Sequence, residues 1–122
     1  KRHDELVLAV CDAAIDLLSV LFGVEACELR SPTRARKNAA RVRQVGMYAL
    51  NVGLGMKMGD IALGFSRDRS TVIHACHLIE DMRDDPDFDA VVCRVEAVFS
   101  ISFQFVPIGK NEPSFASASD GD

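Results

Sequence analysis

Apolar residues recur at intervals of three and four through most of this chain, and that spacing constrains its fold more than any other feature. The first such stretch places five side chains on one helical face: Leu6, Val10, Ala13, Leu17 and Leu21. Four later stretches follow the same rule, and glycine, proline or polar turns separate them. The spacing predicts an all-α fold, a compact bundle of about five helices that contains a helix-turn-helix.

Breaks in the pattern give the predicted boundaries. The expected helices cover 4–22, 38–52, 57–64, 69–83 and 88–102, with a short helical turn or loop over 24–29. Gly23 suits a helix end, and the Asp68 carboxylate is expected to cap the helix that follows it. Phe103 to Val106 is predicted to be strand-like. The domain is assigned to 1–106, and 107–122, rich in Gly, Ser, Ala and Asp, is predicted to be a flexible tail.

Length, cysteine usage and missing motifs exclude several classes of protein. A chain of 122 residues suits one domain. The apolar region Leu6 to Val24 is interrupted by Asp12 and Asp16, so an amphipathic helix is favoured over a membrane span. The four cysteines form no C-x-x-C pair and are interpreted as buried free thiols in a reducing cytoplasm. No phosphate-binding G-x-x-x-x-G-K-[ST] run is present, so no nucleotide and no cofactor are expected.

Two further site types are weighed and set aside. His74, Cys76 and His77 lie within four residues, but without a second ligand pair they favour no zinc site. The aspartates at 84–89 flank a proline and lack basic or histidine partners, so a solvated turn is preferred to a catalytic carboxylate site. The sequence therefore predicts no metal and no enzyme.

The charge is distributed unevenly along the chain. The formal net charge is −4, yet residues 29–79 hold nine basic and two acidic side chains, for +7. Residues 1–28 carry −4 and residues 80–122 carry −7. A polyanion responds to the local surface, since charges beyond about 8 Å are largely screened at physiological salt. The middle segment is the candidate footprint for nucleic acid.

Five consecutive residues around the start of the helix that Asp68 precedes have side chains that can form hydrogen bonds: Arg67, Asp68, Arg69, Ser70 and Thr71. In a helix-turn-helix, the first residues of the second helix reach base edges in the major groove. Arginine can donate two hydrogen bonds to guanine, and aspartate can accept one from cytosine. The competing interpretation is an ordinary capped and solvated first turn, because Asp, Ser and Thr are good capping residues.

A second basic cluster precedes and opens the helix near Asn38: Arg34, Arg36, Lys37, Arg41 and Arg43. Cations in the first turns of a helix oppose its dipole by up to about 1 kcal/mol each, which a nearby anionic backbone would offset. The arginines of the preceding Pro-containing loop could enter a minor groove. The alternative is a solvated basic face. Glu80 and Asp81 lie about 16–18 Å along the helix from Arg69 and would not repel DNA at its start.

Three stretches together resemble the C-terminal DNA-binding domain of the bacterial replication initiator DnaA. They are Arg41-Val-Arg-Gln-Val-Gly-Met-Tyr, Gly59-Asp-Ile-Ala, and Arg67-Asp-Arg-Ser-Thr-Val-Ile-His-Ala. The resemblance covers about residues 15–100 and implies an all-α module that binds short duplex boxes. The chain departs from the family pattern at Arg69, where the family has histidine, and in a turn at 65–67 that is one residue shorter.

The resemblance also implies roles for individual residues. Asp68, Ser70 and Thr71 would contact base edges or adjacent backbone, and Arg34 would enter the minor groove. Four residues would hold phosphates or position the duplex: Arg41, Arg43, Gln44 and Lys57. His74 would support the recognition helix or its backbone contacts. Arg36, Lys37, Arg67 and Arg69 complete the predicted DNA-binding set.

The leading hypothesis is a non-enzymatic protein that binds double-stranded DNA sequence-specifically in the cytoplasm, at the nucleoid. It would regulate transcription or compete for initiator-like sites. The alternative is a protein-interaction module that kept the fold and lost DNA binding. The first helix is more apolar than one exposed helix needs, so it could pack on a second copy in a homodimer.

Overall fold

The computed structural model describes residues 2–31 and 37–109, without the side chain of Lys37. Six α-helices lie in these ranges: α1 Arg2–Phe22, α2 Ala26–Arg30, α3 Lys37–Tyr48, α4 Met58–Phe65, α5 Arg69–Met82 and α6 Pro86–Ser102. A π-helical turn, Ala49–Gly53, continues α3. The described residues contain no strand, and the all-α prediction is confirmed.

Helix α1 is the long central element, but its buried face differs from the predicted one. The buried residues are Val7, Val10, Cys11, Ala14, Ile15 and Leu18. Leu21, predicted to face inward, is 41% exposed. The prediction of the face holds in part, since Val10 is buried and Leu6, Ala13 and Leu17 pack partly buried against the core. The buried face is rotated from the predicted one because α1 carries apolar residues around most of its circumference, so spacing alone left its rotation open. Gly23 ends the helix as predicted, at a φ of +65°.

Helices α2 and α3 are joined by the residues that the structure does not describe. Arg30, at the end of α2, is paired with α1, since its Nη2 lies 3.3 Å from Asp16 and 3.6 Å from Asp12. Helix α3 packs closely against α5. Its last side chain, Tyr48, is buried, and its hydroxyl donates to Glu80 of α5.

Helices α4 and α5 form the helix-turn-helix corner. Buried Ile61, Ala62 and Phe65 hold α4 against the core, and α4 packs along α1. The predicted inner face of α5 is confirmed: Val72, Ala75, Cys76 and Ile79 are buried. The α5 start is thereby held by its inner face, while its outer face is left to solvent.

The chain after α6 corrects the predicted strand-like extension. Residues 103–106 form a turn, in which the Phe103 amide donates to the Phe99 carbonyl at 2.9 Å. The two phenyl rings meet edge to face, with centroids 5.8 Å apart. A strand needs a partner strand, and the described residues offer none, whereas Phe103 gains burial by turning inward. Ile108 is also buried. Residues 110–122 of the predicted tail lie outside the described residues.

The cysteines are free, but only two are buried. Burial raises the pKa of the Cys11 thiol to about 12 and that of Cys76 to about 11. Cys27 and Cys93 are exposed, contrary to the prediction. Cys93 follows Val92, and the buried α6 face passes through Val92, Val95 and Phe99, which turns position 93 outward. None of the helices in 2–31 and 37–109 combines the length and hydropathy that crossing a membrane requires.

Candidate nucleic-acid interface

The opening turn of α5 is exposed. Asp68, Arg69, Ser70 and Thr71 are all open to solvent, and so is His74 one turn later. Backbone bonds fix this turn, since the Asp68 carbonyl accepts from the amides of Thr71 and Val72 at 3.0 and 3.3 Å. A rigid backbone with exposed polar side chains is the arrangement that reading a DNA groove requires.

Asp68 holds the N-cap position with extended backbone angles, but its side chain makes no capping hydrogen bond. The predicted carboxylate cap was therefore wrong. The Asp68 main-chain carbonyl instead accepts from the third and fourth amides of α5, those of Thr71 and Val72. The exposed Asp68 carboxylate therefore makes no hydrogen bond to the backbone of α5 and can accept one from another molecule.

The turn between α4 and α5 is held by the main chain. Ser66 adopts the left-handed conformation, at φ 55° and ψ 47°, and closes α4. The Arg67 amide donates to the Ala62 carbonyl at 3.0 Å, and the Ser66 amide donates to Leu63 at 3.3 Å. These bonds satisfy carbonyls that the end of α4 would otherwise leave unpaired.

Arg67 points back into the domain. Its Nη2 donates to the carbonyl of Ser31, the residue that follows α2. Its Nε is buried and has no hydrogen-bond partner in the part of the chain that the structure describes. Ser31 is also the last described residue before the loop that carries Arg34 and Arg36, here called the basic loop. The structure thus places Ser31 directly beside the helix-turn-helix turn.

Arg41 and Arg43 of α3 differ in their surroundings, although both are half-buried. Arg41 donates to the Gln44 side-chain carbonyl one turn later, at 2.9 Å. Arg43 donates weakly to the Leu29 carbonyl of α2, at 3.5 Å. Burial lowers the pKa of Arg43, and the nearby charge of Arg67 lowers it further.

Of the remaining predicted DNA contacts, the structure describes Lys57 fully and those of the basic loop hardly at all. Lys57 is exposed and occupies the N-cap position of α4. Arg34 and Arg36 lie outside the described residues, and only the backbone of Lys37 is described. No three His, Cys, Asp or Glu side chains in 2–31 and 37–109 are grouped to hold a metal ion.

Two features of this surface were missed in the sequence. His77 is exposed and follows Ser70 and His74 along one line of α5, as their spacing of four and three residues gives. That spacing was available in the sequence. The Ser31 carbonyl had no sequence signal, because any residue supplies a main-chain acceptor.

A separate ionic cluster fixes the far end of α5. Arg83 Nε donates to Asp89 at 2.5 Å, and its Nη1 donates to Glu96 and to the Tyr48 hydroxyl at 3.2 and 3.1 Å. The hydrogen bond to Asp89 raises the pKa of Arg83. Burial raises the pKa of Tyr48, and its bond to Glu80 raises it further. Several acidic side chains at this end are thus held by internal partners, away from the exposed start of α5.

Comparison with known proteins places the helix-turn-helix in a family. The model of the bacterial dnaA protein helix-turn-helix matches residues 11–79. The chromosomal replication initiator protein DnaA of Lachnoclostridium phytofermentans is 34% identical over 83 residues, which are 66% of this chain. The chain spans only 18% of the length of that relative. No solved structure matches the chain. Since the family model covers more than half of the chain, the protein belongs to the bacterial DnaA helix-turn-helix family.

Proposed function

We propose that this protein binds double-stranded DNA sequence-specifically, with the start of α5 in the major groove and the basic loop in the adjacent minor groove. Membership in a helix-turn-helix family supports DNA binding. The observation that carries the proposal is the bond from Arg67 to Ser31, because it holds the last described residue before the basic loop beside the exposed turn. In this proposal the two predicted footprints would form one surface.

Within this proposal the residues divide by what they contact. Arg69 is exposed beside Ser70 and would read a base, where a forked guanidinium favours guanine. Asp68, Ser70, Thr71 and His74 would supply further base or backbone contacts. Arg41, Gln44 and Lys57 would hold phosphates, and Arg34, Arg36 and Lys37 would follow the minor groove and its backbone.

The domain would act without catalysis, as a transcriptional regulator or as a competitor at initiator-like sites in the cytoplasm. Its likeness to a chromosomal replication initiator protein supports the second role, since two similar DNA-reading helices can recognise similar sites. Selection of bound genomic fragments tests this directly. The proposal predicts one recurrent duplex motif, and recovery of random fragments would contradict sequence specificity.

Two substitutions test the division of roles. Arg69→Ala should relax preference at one base position, by about 1–3 kcal/mol of discrimination. Arg41→Ala should weaken binding to every sequence alike and reduce the salt dependence by about one counterion. Binding isotherms on the selected motif and its single-base variants give both quantities. If the two variants behave identically, the assignment of base and backbone contacts is wrong.

An interaction module without DNA affinity is the second candidate. Large apolar side chains at Val20, Ile101 and Phe105 are 69–82% exposed, and such surface favours a protein partner or a second copy. Under this candidate no duplex is retarded at low salt. Sedimentation of the purified chain would then decide whether a second copy covers α1.

A further inference from the structure

We propose that Arg67 and Arg43, both predicted as DNA contacts, instead act as positioning residues. They fix the end of α2, from which the basic loop departs, against the start of α5. This inference rests on the proposed DNA-binding function and assigns a different task to two of its arginines.

The Arg67 side chain is half-buried, and two of its nitrogens face the interior. Its Nη2 donates to the Ser31 carbonyl, and its Nε is shielded from solvent. A phosphate on the surface therefore cannot reach Nε without displacement of the side chain. The exposed arginine two residues later, Arg69, has none of these constraints.

Arg43, which lies in α3, contacts the same end of α2. Its Nη1 lies 3.5 Å from the Leu29 carbonyl, and its pKa is lowered by burial and then by Arg67. The last carbonyls of a helix lack intrahelical donors and carry partial negative charge. The Leu29 carbonyl of α2 and the carbonyl of its C-cap residue, Ser31, accept from the two guanidinium groups in place of a carboxylate.

The position of Arg67 in the chain links its contact with Ser31 to the proposed DNA-binding surface at the start of α5. Arg67 lies between Ser66, which closes α4, and Asp68, which opens α5, and its own amide is bonded to Ala62. The Arg67 side chain thus connects Ser31 to a turn whose backbone is fixed by hydrogen bonds. If the bond is lost, α2 and the loop after it can shift relative to α5, and their alignment must be restored on binding, which lowers affinity without removing a phosphate contact.

Salt dependence separates positioning from phosphate contact. Removing a phosphate contact lowers the slope of log K against log salt by about 1. Removing a positioning residue lowers affinity at every salt concentration and leaves that slope unchanged, because the number of neutralised phosphates stays the same.

The experiment compares Arg67→Met, which keeps the length of the stem without its guanidinium, with Arg41→Met as the matched phosphate-contact control. Duplex affinity is measured across salt. We expect Arg67→Met to bind about tenfold more weakly, as 1.4 kcal/mol implies, with the wild-type slope. Arg41→Met should lower the slope by about 1. A reduced slope in Arg67→Met overturns the proposal and makes Arg67 a phosphate contact.

Amide hydrogen exchange without DNA gives a second readout. In Arg67→Met the amides of Glu28, Leu29 and Ser31 should exchange faster, while those in the centre of α5 keep their protection, which also shows that the variant folds. Arg67→Lys, which can still donate to Ser31, should restore part of the protection. Unchanged exchange in α2 overturns the positioning role whatever the DNA result. A wild-type chain that binds no duplex overturns the proposed function instead.

Discussion

A methyl group added to Gly64 should separate α1 from α4. The Cβ of Gly64→Ala would lie 2.6 Å from the Cβ of Cys11, which is closer than the 3.0 Å that real Cβ atoms essentially never cross. The Cys11 Cβ is fixed to the backbone of α1, so no rotamer change relieves the clash, and the helices must move by several tenths of an ångström. Overpacking of this kind costs about 1–3 kcal/mol.

Gly59→Ala in the same helix is the matched control. Its added methyl meets nothing within 4 Å. Both substitutions gain helix propensity, about 0.5–1 kcal/mol in favour of alanine, so the difference between them isolates the steric cost at Gly64.

Urea unfolding of both variants measures that difference. We expect Gly59→Ala to be at least as stable as wild type, and Gly64→Ala to be less stable than Gly59→Ala by about 1–3 kcal/mol. For a domain of about 100 residues this separates their melting temperatures by roughly 4–20 °C. Equal stability of the two variants would refute the close approach of α4 to α1.

Three further predictions follow from the buried groups. Because the pKa of Cys11 is about 12 when folded and near 9.0 when unfolded, its contribution to stability is complete below pH 9 and is lost as the pH rises toward 12. The urea midpoint should be lower at pH 10.5 than at pH 8, with Cys76 adding to the effect. A midpoint that is the same at both pH values would contradict this. In native protein a thiol reagent should modify Cys27 and Cys93 quickly and the other two cysteines only on unfolding; four equally fast thiols would show that the burial is wrong. Tyr48→Phe should lower the unfolding free energy by about 1–2 kcal/mol, since its hydroxyl joins α3 to α5, and a neutral effect in urea unfolding would exclude that role.

The sequence predicted the helices better than their faces. Gly23 marked the end of α1, because glycine acts on the backbone locally. Helix α6 begins at Pro86, two residues before its predicted start at Phe88. The rotation of α1 depends on which neighbours pack against it, and its many apolar residues allowed more than one answer. The turn at Phe103 likewise depends on contact with Phe99, which local propensity does not include.

In the candidate site too, some features could be predicted from the sequence and others depended on packing. Exposure of Arg69 and its neighbours could be predicted, since they precede the first buried residue of α5. The direction of Arg67 could not, because a basic residue in a basic segment has the same composition signal whether it points outward or inward. Only the position of the Ser31 carbonyl, set by the packing of α2, decides it.

The central claim is that the start of α5 and the basic loop form one surface for a DNA duplex. The salt dependence of wild-type binding to a selected duplex, measured by fluorescence anisotropy, tests it most directly. With roughly five phosphate contacts the account predicts that log K falls against log salt with a slope of about −4 to −5. A flat response, or no binding at low salt, would contradict it.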